Sequence, residues 1–206
     1  LYARDLHNPL LGMTSRAFAE VAAGVYTAHG VRVSMLPEDA TTYVSTPELS
    51  FAIRHLHATA GLNISASHNH PDDNGGKFYN DRGGQEVPPD DEAMAAQVER
   101  VSRLDLIDYA AAKATGLISW ITPDIHAAYV ALNVAQSLHP TARQAHLVFT
   151  PLHGTADTTV GAVLRQAGFQ VDLVAAQATP DGTFPAVPYR APNPEVPESM
   201  QQGMDL

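Results

Sequence analysis

Apolar positions recur at helical spacing along residues 14–29 (TSRAFAEVAAGVYTAH), behind a Thr/Ser start that suits a helix cap, and Gly30 follows as a stop. Residues 31–36 then alternate apolar and polar positions, the period of a short strand. Ser45-Thr46-Pro47-Glu48 joins a capping hydroxyl to a first-turn proline, so a helix is expected from there to about His57. Residues 61–66 (GLNISA) read as the strand after it, and residues 76–80 as a short extended segment. Pro88-Pro89-Asp90-Asp91 opens a further helix to about Leu104, with acids in its first turn, where the helix dipole favours them. The run AAAKATG at 110–116 reads as a connector.

A second series follows: a helix at 123–138, a strand at 146–150, a helix at 155–167 and a strand at 169–174. The tail from Ala178, with prolines at 180, 185, 188, 192, 194 and 197, is expected to be an extended loop. The first residues read as the end of a strand. Strands alternating with helices predict an α/β fold of two consecutive three-layer α/β/α units with mixed sheets, the second truncated by the chain end. Residues 1–115 form the first unit on this reading and residues 116–206 the second.

Charge narrows the chemistry. The 206 residues carry 22 acidic and 12 basic side chains, a net charge of −10. Only two of the basic residues are lysines, Lys77 and Lys113, and no basic run exists that would neutralise several phosphates. Nucleic acid is therefore not an expected partner. No cysteine is present, which removes disulfides, thiol nucleophiles and Cys-type zinc sites together. No apolar window of about 18 residues is long enough to span a membrane. The opening LYARDLHNP is charged at once, lacks a secretion signal's apolar core and has no Met, so the chain reads as a piece of a longer one.

The candidate chemistry lies in SASHNHPDDNGGK, residues 65–77, directly after a predicted strand. Loops at the carboxyl ends of strands in open α/β sheets are where ligands bind. The letters HNH suggest a nuclease, a reading that the acidic charge opposes. His68 and His70 would point the same way from an extended backbone, as in an HxH metal hydrolase, but no further ligands at later strand ends are evident. Ser67 stands between small Ala66 and ionisable His68, open to a substrate. Asn74-Gly75-Gly76 permits a sharp turn, and Lys77 returns a cation ten residues after Ser67. Lys77 has an alternative role as a solvated surface lysine. The histidines at 7, 29, 55, 57, 126, 139 and 146 are expected at the surface or at helix ends.

Ser65-Ala66-Ser67-His68-Asn69, with Asp72, Asn74, Gly75 and Lys77, resembles the active-serine signature T-A-S-H-N-P…N-G-x-K of the α-D-phosphohexomutases, the phosphoglucomutase/phosphomannomutase superfamily. Arg4-Asp5 with Ser15-Arg16 is similar to the family's opening segment, and Val44-Ser45-Thr46-Pro47 to its T-P before the second helix. Residues 149–155 (FTPLHGT) resemble its strand-to-helix turn in the second domain. Asp181-Gly182-Thr183-Phe184-Pro185 and Pro192-Asn193-Pro194-Glu195 resemble the approach to its metal loop. Three departures stand out: Ser65 for Thr, His70 for Pro, and His7-Asn8 where an arginine is usual.

The resemblance implies a cytoplasmic isomerase that interconverts sugar 1-phosphates and 6-phosphates through a phosphoserine and a bisphosphate intermediate. Ser67, His68 and Lys77 would be its catalytic and substrate-binding residues here. It also implies Mg²⁺, with Ser67 a ligand through its phosphate oxygen and three aspartates beyond the residues given, and a glucose 1,6-bisphosphate-type activator. Lys77 would contact phosphate or a sugar hydroxyl. His68 would shuttle a proton or hydrogen-bond the loop. His153-Gly154 is either a second-unit contact at the cleft or simply a helix-start turn. Two other readings stay open: a phosphopentomutase of the same superfamily, and a sugar-phosphate-binding relative without turnover. Neither the sugar nor the oligomeric state is legible.

Overall fold

A computed structural model describes residues 14–71 and 73–206. The expected opening strand end, the Arg4-Asp5 and His7-Asn8 positions and Asp72 of the loop lie outside the described residues. Thr14 accepts the amide of Ala17 at 3.0 Å and caps α1 (Ser15–Ala28), which Gly30 ends at φ +75°. The alternating run contracts to β1 (Val33–Met35). Ser45 accepts the amide of Glu48 at 3.4 Å and opens α2 (Thr46–His55), with its proline in the first turn as expected. β2 (Ala60–Ile64) and β3 (Gly76–Asn80) then form an antiparallel pair, and the 65–75 segment is the loop between them.

The stretch after β3 departs from the sequence expectation twice. The helix opened by Asp90 is α3 (Asp90–Val98), which ends well short of residue 104. None of its residues is buried, so it gains little tertiary packing, the main support of short helices in water. Leu106 and Ile107 instead cross α1 closely at Gly24, where a β-carbon would collide with the Ile107 carbonyl. The expected connector at 110–116 is in fact a helix, α4 (Tyr109–Ala114). Asp108 caps it by accepting the Ala111 amide at 2.8 Å, alanine is the best helix former, and Ala112 is buried where α4 packs on α1.

β4 (Ile118–Trp120) follows, and it pairs in parallel with β1 in the register Val33↔Ile118 to Met35↔Trp120. A strand beyond residue 115 thus joins the sheet of the first unit. α5 (Pro123–Val134) packs on α2, where the Phe51 and Tyr129 rings stand 5.6 Å apart. β5 (His146–Phe149) and β6 (Gln170–Leu173) make a parallel pair. Between them run a single π-helical turn, Asp157–Gly161, and α6 (Ala162–Gln166). The architecture is therefore two successive alternating α/β/α regions with small mixed sheets. No helix among the described residues is long and apolar enough to cross a membrane.

The tail is not an extended loop. A 3-10 turn at Ala175–Gln177 leads into it, and it contains a further one at Pro188–Arg190 and a helix, α7 (Pro197–Met204). Pro188 and Pro197 stand in first-turn positions, where the missing N–H costs nothing, so the prolines start these elements rather than break them. Phe184 is fully buried with Leu152 and Val187, and Met200 of α7 packs on them. The tail thereby supplies two of the three buried residues of this cluster. Gln177, also fully buried, accepts from Thr150 Oγ1 at 2.7 Å and donates to the carbonyls of Ala186 and Ser199. Phe184→Ala is expected to cost the second unit about 3–5 kcal/mol of unfolding free energy. Urea unfolding followed by circular dichroism checks this; a loss below about 1 kcal/mol would mean that the tail does not hold that core.

Candidate active site on the β2–β3 loop

The loop is closed at its neck and aimed at its tip by its own backbone. The Ser65 amide donates to the Gly75 carbonyl at 2.7 Å, extending the β2–β3 ladder one step past the Ile64↔Gly76 pair. Inside that neck the Ser65 hydroxyl, on a residue 4% exposed, accepts the Ser67 amide at 3.0 Å. Ser67 is exposed and takes φ +60°, the left-handed region that non-glycine residues seldom enter. The Asn69 amide returns to Ala66 O at 3.1 Å, and the Asp73 amide to His70 O at 3.0 Å. Asn74 accepts the Gly75 amide on Oδ1 at 2.9 Å and donates from Nδ2 to Ser15 Oγ at 3.3 Å. The loop is thereby tied to the start of α1.

Lys77 lies at the foot of the loop, half-buried, directly opposite Asn63 in the β2–β3 register. Cross-strand partners share a sheet face, so Lys77 lies on the face where Asn63 Nδ2 donates to Thr46 Oγ1 at 2.8 Å. The two lysines are in different electrostatic situations. Lys113 is held by Glu38 at 2.5 Å, a bond that raises its ammonium above the ordinary lysine range. Lys77 has no ion pair with any described residue. Burial raises the Tyr109 phenol even though Arg16 beside it works in the opposite direction. The Arg16 guanidinium is fully engaged, with Glu20 at 2.7 Å, the Leu36 carbonyl at 2.8 Å and the Tyr109 hydroxyl at 3.0 Å.

Of the sequence candidates, Ser67 and His68 share the exposed tip and Lys77 stands below them on β3. His70 is exposed as well, but no group of three His, Asp or Glu side chains is placed to hold a metal among the described residues. The HxH hydrolase reading therefore finds no ligand set there, and the residues described do not by themselves build a magnesium site. A cavity of about 730 Å³ opens at the carboxyl ends of β1 and β4. Ser15, Asn63 and Ile64 line it beside the neck of the loop, and Asp181 and Gly182 line it from the second unit.

His153 resolves into a turn fixed by its own ring. It is 4% exposed at φ +61°, and the Ala186 amide donates to Nε2 at 3.2 Å. Nε2 is then the acceptor, so Nδ1 carries the hydrogen and donates to Thr179 O at 2.8 Å. Both nitrogens are occupied within the second unit, which suits the turn reading over a ligand contact. His29, His55, His57, His139 and His146 are exposed as expected. His126 is the exception: half-buried, its Nδ1 lies 2.7 Å from the buried Glu48 carboxylate, joining α5 to α2. The sequence pattern marks Asn74 as a turn former, which its bond from the Gly75 amide matches, but does not mark Ser65 and Ser15 as working parts. The signal was present in S-x-S, since a hydroxyl two residues before an amide is placed to accept from it.

Two family models match this chain in the order of its two units. The phosphoglucomutase/phosphomannomutase alpha/beta/alpha domain I covers residues 13–105, and the corresponding domain II covers residues 126–206. The chain belongs to the phosphoglucomutase/phosphomannomutase family. It is 35% identical over 194 residues to a phosphoglucomutase of Staphylococcus aureus (strain MRSA252), covering 93% of this chain and 34% of that protein. It is 34% identical over 185 residues to a Haemophilus influenzae protein assigned as a phosphomannomutase, covering 88% of this chain and 36% of the relative. A crystal structure from Thermus thermophilus, also assigned as a phosphomannomutase, superposes with a TM-score of 0.70 at 26% identity, over 90% of this chain and 38% of that one. The chain thus spans about one third of the length of the curated relatives it matches.

Proposed function

We propose that the polypeptide containing this chain is a sugar-phosphate mutase of the phosphoglucomutase/phosphomannomutase type, with Ser67 as its phosphate carrier. The observation that carries the reading is the loop itself: a closed neck, an exposed serine at φ +60° and, at the foot, a lysine with no ion pair among the described residues. In the forward half-reaction the phosphoserine P–O bond breaks as a sugar hydroxyl oxygen bonds to phosphorus. The hydroxyl proton passes to a base, for which His68 beside Ser67 is the candidate, and the leaving Ser67 oxygen takes up a proton to become a free hydroxyl. The bisphosphate then reorients and returns its other phosphate to Ser67 by the reverse steps.

Positioning and charge neutralisation do most of the work in phosphoryl transfer. A phosphoserine carries about −1.5 to −2 charges, and Lys77 supplies a compensating cation. Magnesium, expected in the family, would supply further positive charge at the phosphate. From the residues described, only a phosphate oxygen on Ser67 is offered as a ligand to it. Glucose 1,6-bisphosphate, or its counterpart for another sugar, would load the serine at the start.

The test is isomerisation by the full-length polypeptide. Glucose 1-phosphate, mannose 1-phosphate and ribose 1-phosphate are each supplied with Mg²⁺ and a catalytic amount of the matching bisphosphate, and products are followed by phosphorus NMR. Conversion of a hexose 1-phosphate to the 6-phosphate is expected. Conversion of the ribose compound alone would make it a phosphopentomutase, and conversion of none would leave a sugar-phosphate-binding protein without turnover.

A further inference from the structure

We propose that Ser65 is a positioning residue for Ser67: its buried hydroxyl holds the Ser67 backbone in the left-handed conformation that presents the Ser67 side chain to solvent. The inference rests on the mutase reading for its consequence, but the tether itself rests on geometry alone. Ser65 is 4% exposed, and a buried hydroxyl is costly unless it is partnered. Its Oγ accepts the Ser67 amide at 3.0 Å, while its own amide donates to Gly75 O at 2.7 Å. One residue therefore closes the neck of the loop and aims its tip.

Relative strengths decide whether such a bond matters. A serine at φ +60° carries a steric penalty of the same order as the net worth of one hydrogen bond. Without the Ser65 hydroxyl, the Ser67 amide loses the partner that offsets that penalty, and β-region conformations of residue 67 become competitive. The side chain then samples several directions instead of one. Phosphoryl transfer requires near in-line approach, so a fall in the aimed population lowers the rate of the chemical step and leaves sugar binding elsewhere in the cleft untouched. Asn74 and Ser15 anchor the other side of the loop at 3.3 Å, so the loop stays docked when the Ser65 bond is lost. The predicted lesion is in aim rather than in folding.

Three substitutions in the full-length polypeptide separate these effects. Ser65→Ala removes the hydroxyl, Ser65→Thr keeps it, and Ser65→Val has the shape of threonine without the acceptor. Two readouts are taken: hydrogen exchange of the Ser67 amide, resolved by fragmentation mass spectrometry, and kcat and KM with glucose 1-phosphate, glucose 1,6-bisphosphate and Mg²⁺. Ser65→Ala is expected to speed Ser67 amide exchange and lower kcat about tenfold with KM unchanged. Ser65→Thr restores both readouts, and Ser65→Val restores neither. Wild-type-like amide exchange in Ser65→Ala overturns the tether. Equal kcat in the Thr and Val variants overturns the positioning role. Should threonine or valine fail to fold, the alanine variant alone still decides through its amide exchange. A wild type without turnover rejects the mutase reading, whereas faster amide exchange in Ser65→Ala would still establish the tether.

Discussion

Replacing Ser67 by alanine should reduce sugar-phosphate isomerisation by the full-length polypeptide by roughly four orders of magnitude or more, the scale seen when a covalent nucleophile is removed. The loss should come without a folding defect. Ser67 is exposed, and alanine meets the same left-handed penalty at φ +60° as serine does. The thermal midpoint is therefore expected to move by less than about 2 °C. Steady-state kinetics beside a thermal melt check both halves. Wild-type turnover in Ser67→Ala would remove Ser67 from the chemistry whatever else the loop does.

Lys77→Ala is expected to have the next largest effect. A unit charge held about 4 Å from another in a partly screened site is worth ~4 kcal/mol. Losing such a contact to a developing phosphoryl charge would cost up to about a thousandfold in rate. The fold should tolerate the change, since Lys77 makes no ion pair with any described residue and sits half-buried at the end of a hairpin. Lys77→Arg should recover only part of the rate, because a planar guanidinium does not present its charge where an ammonium does. The informative readout is kcat at unchanged thermal stability. If kcat in Lys77→Ala stays within about threefold of wild type, Lys77 is a solvated lysine whose stem covers apolar surface.

The parts of the fold that were legible in the sequence are those set by local rules. The Thr14 and Ser45 caps, the Gly30 stop and the acidic first turn of α3 each depend on a few adjacent residues, and each stands where the pattern placed it. The misread segments depend on distant partners. Residues 109–114 are a helix because Asp108 caps them and α1 buries Ala112, and nothing within AAAKATG reveals that neighbour. The proline-rich tail looked extended because the burial of Phe184 against Leu152 is a contact over more than thirty residues. β4 was invisible for the same reason: a three-residue strand has no periodicity of its own and exists through its pairing with β1.

The candidate site divides along similar lines. The groups proposed to react stood out as candidates because hydroxyl, imidazole and ammonium are chemical types arranged in a specific motif. Among its supports the Asn74 turn was legible, but the Ser65 bond to Ser67 and the Asn74 bond to Ser15 were not, since they depend on geometry. Family membership places this loop in a protein class whose curated relatives are about three times longer than the present chain.

Phosphopeptide mapping tests the central claim most directly. The full-length polypeptide is incubated with glucose 1,6-bisphosphate and Mg²⁺, digested, and sequenced by mass spectrometry across residues 65–77. The account predicts a single phosphate on Ser67 which, when loaded from isotope-labelled bisphosphate, passes its label into glucose phosphate on addition of unlabelled glucose 1-phosphate while Ser67 stays phosphorylated. A phosphate on Ser65 or elsewhere, or a loop that stays unmodified while the protein turns over substrate, would contradict it.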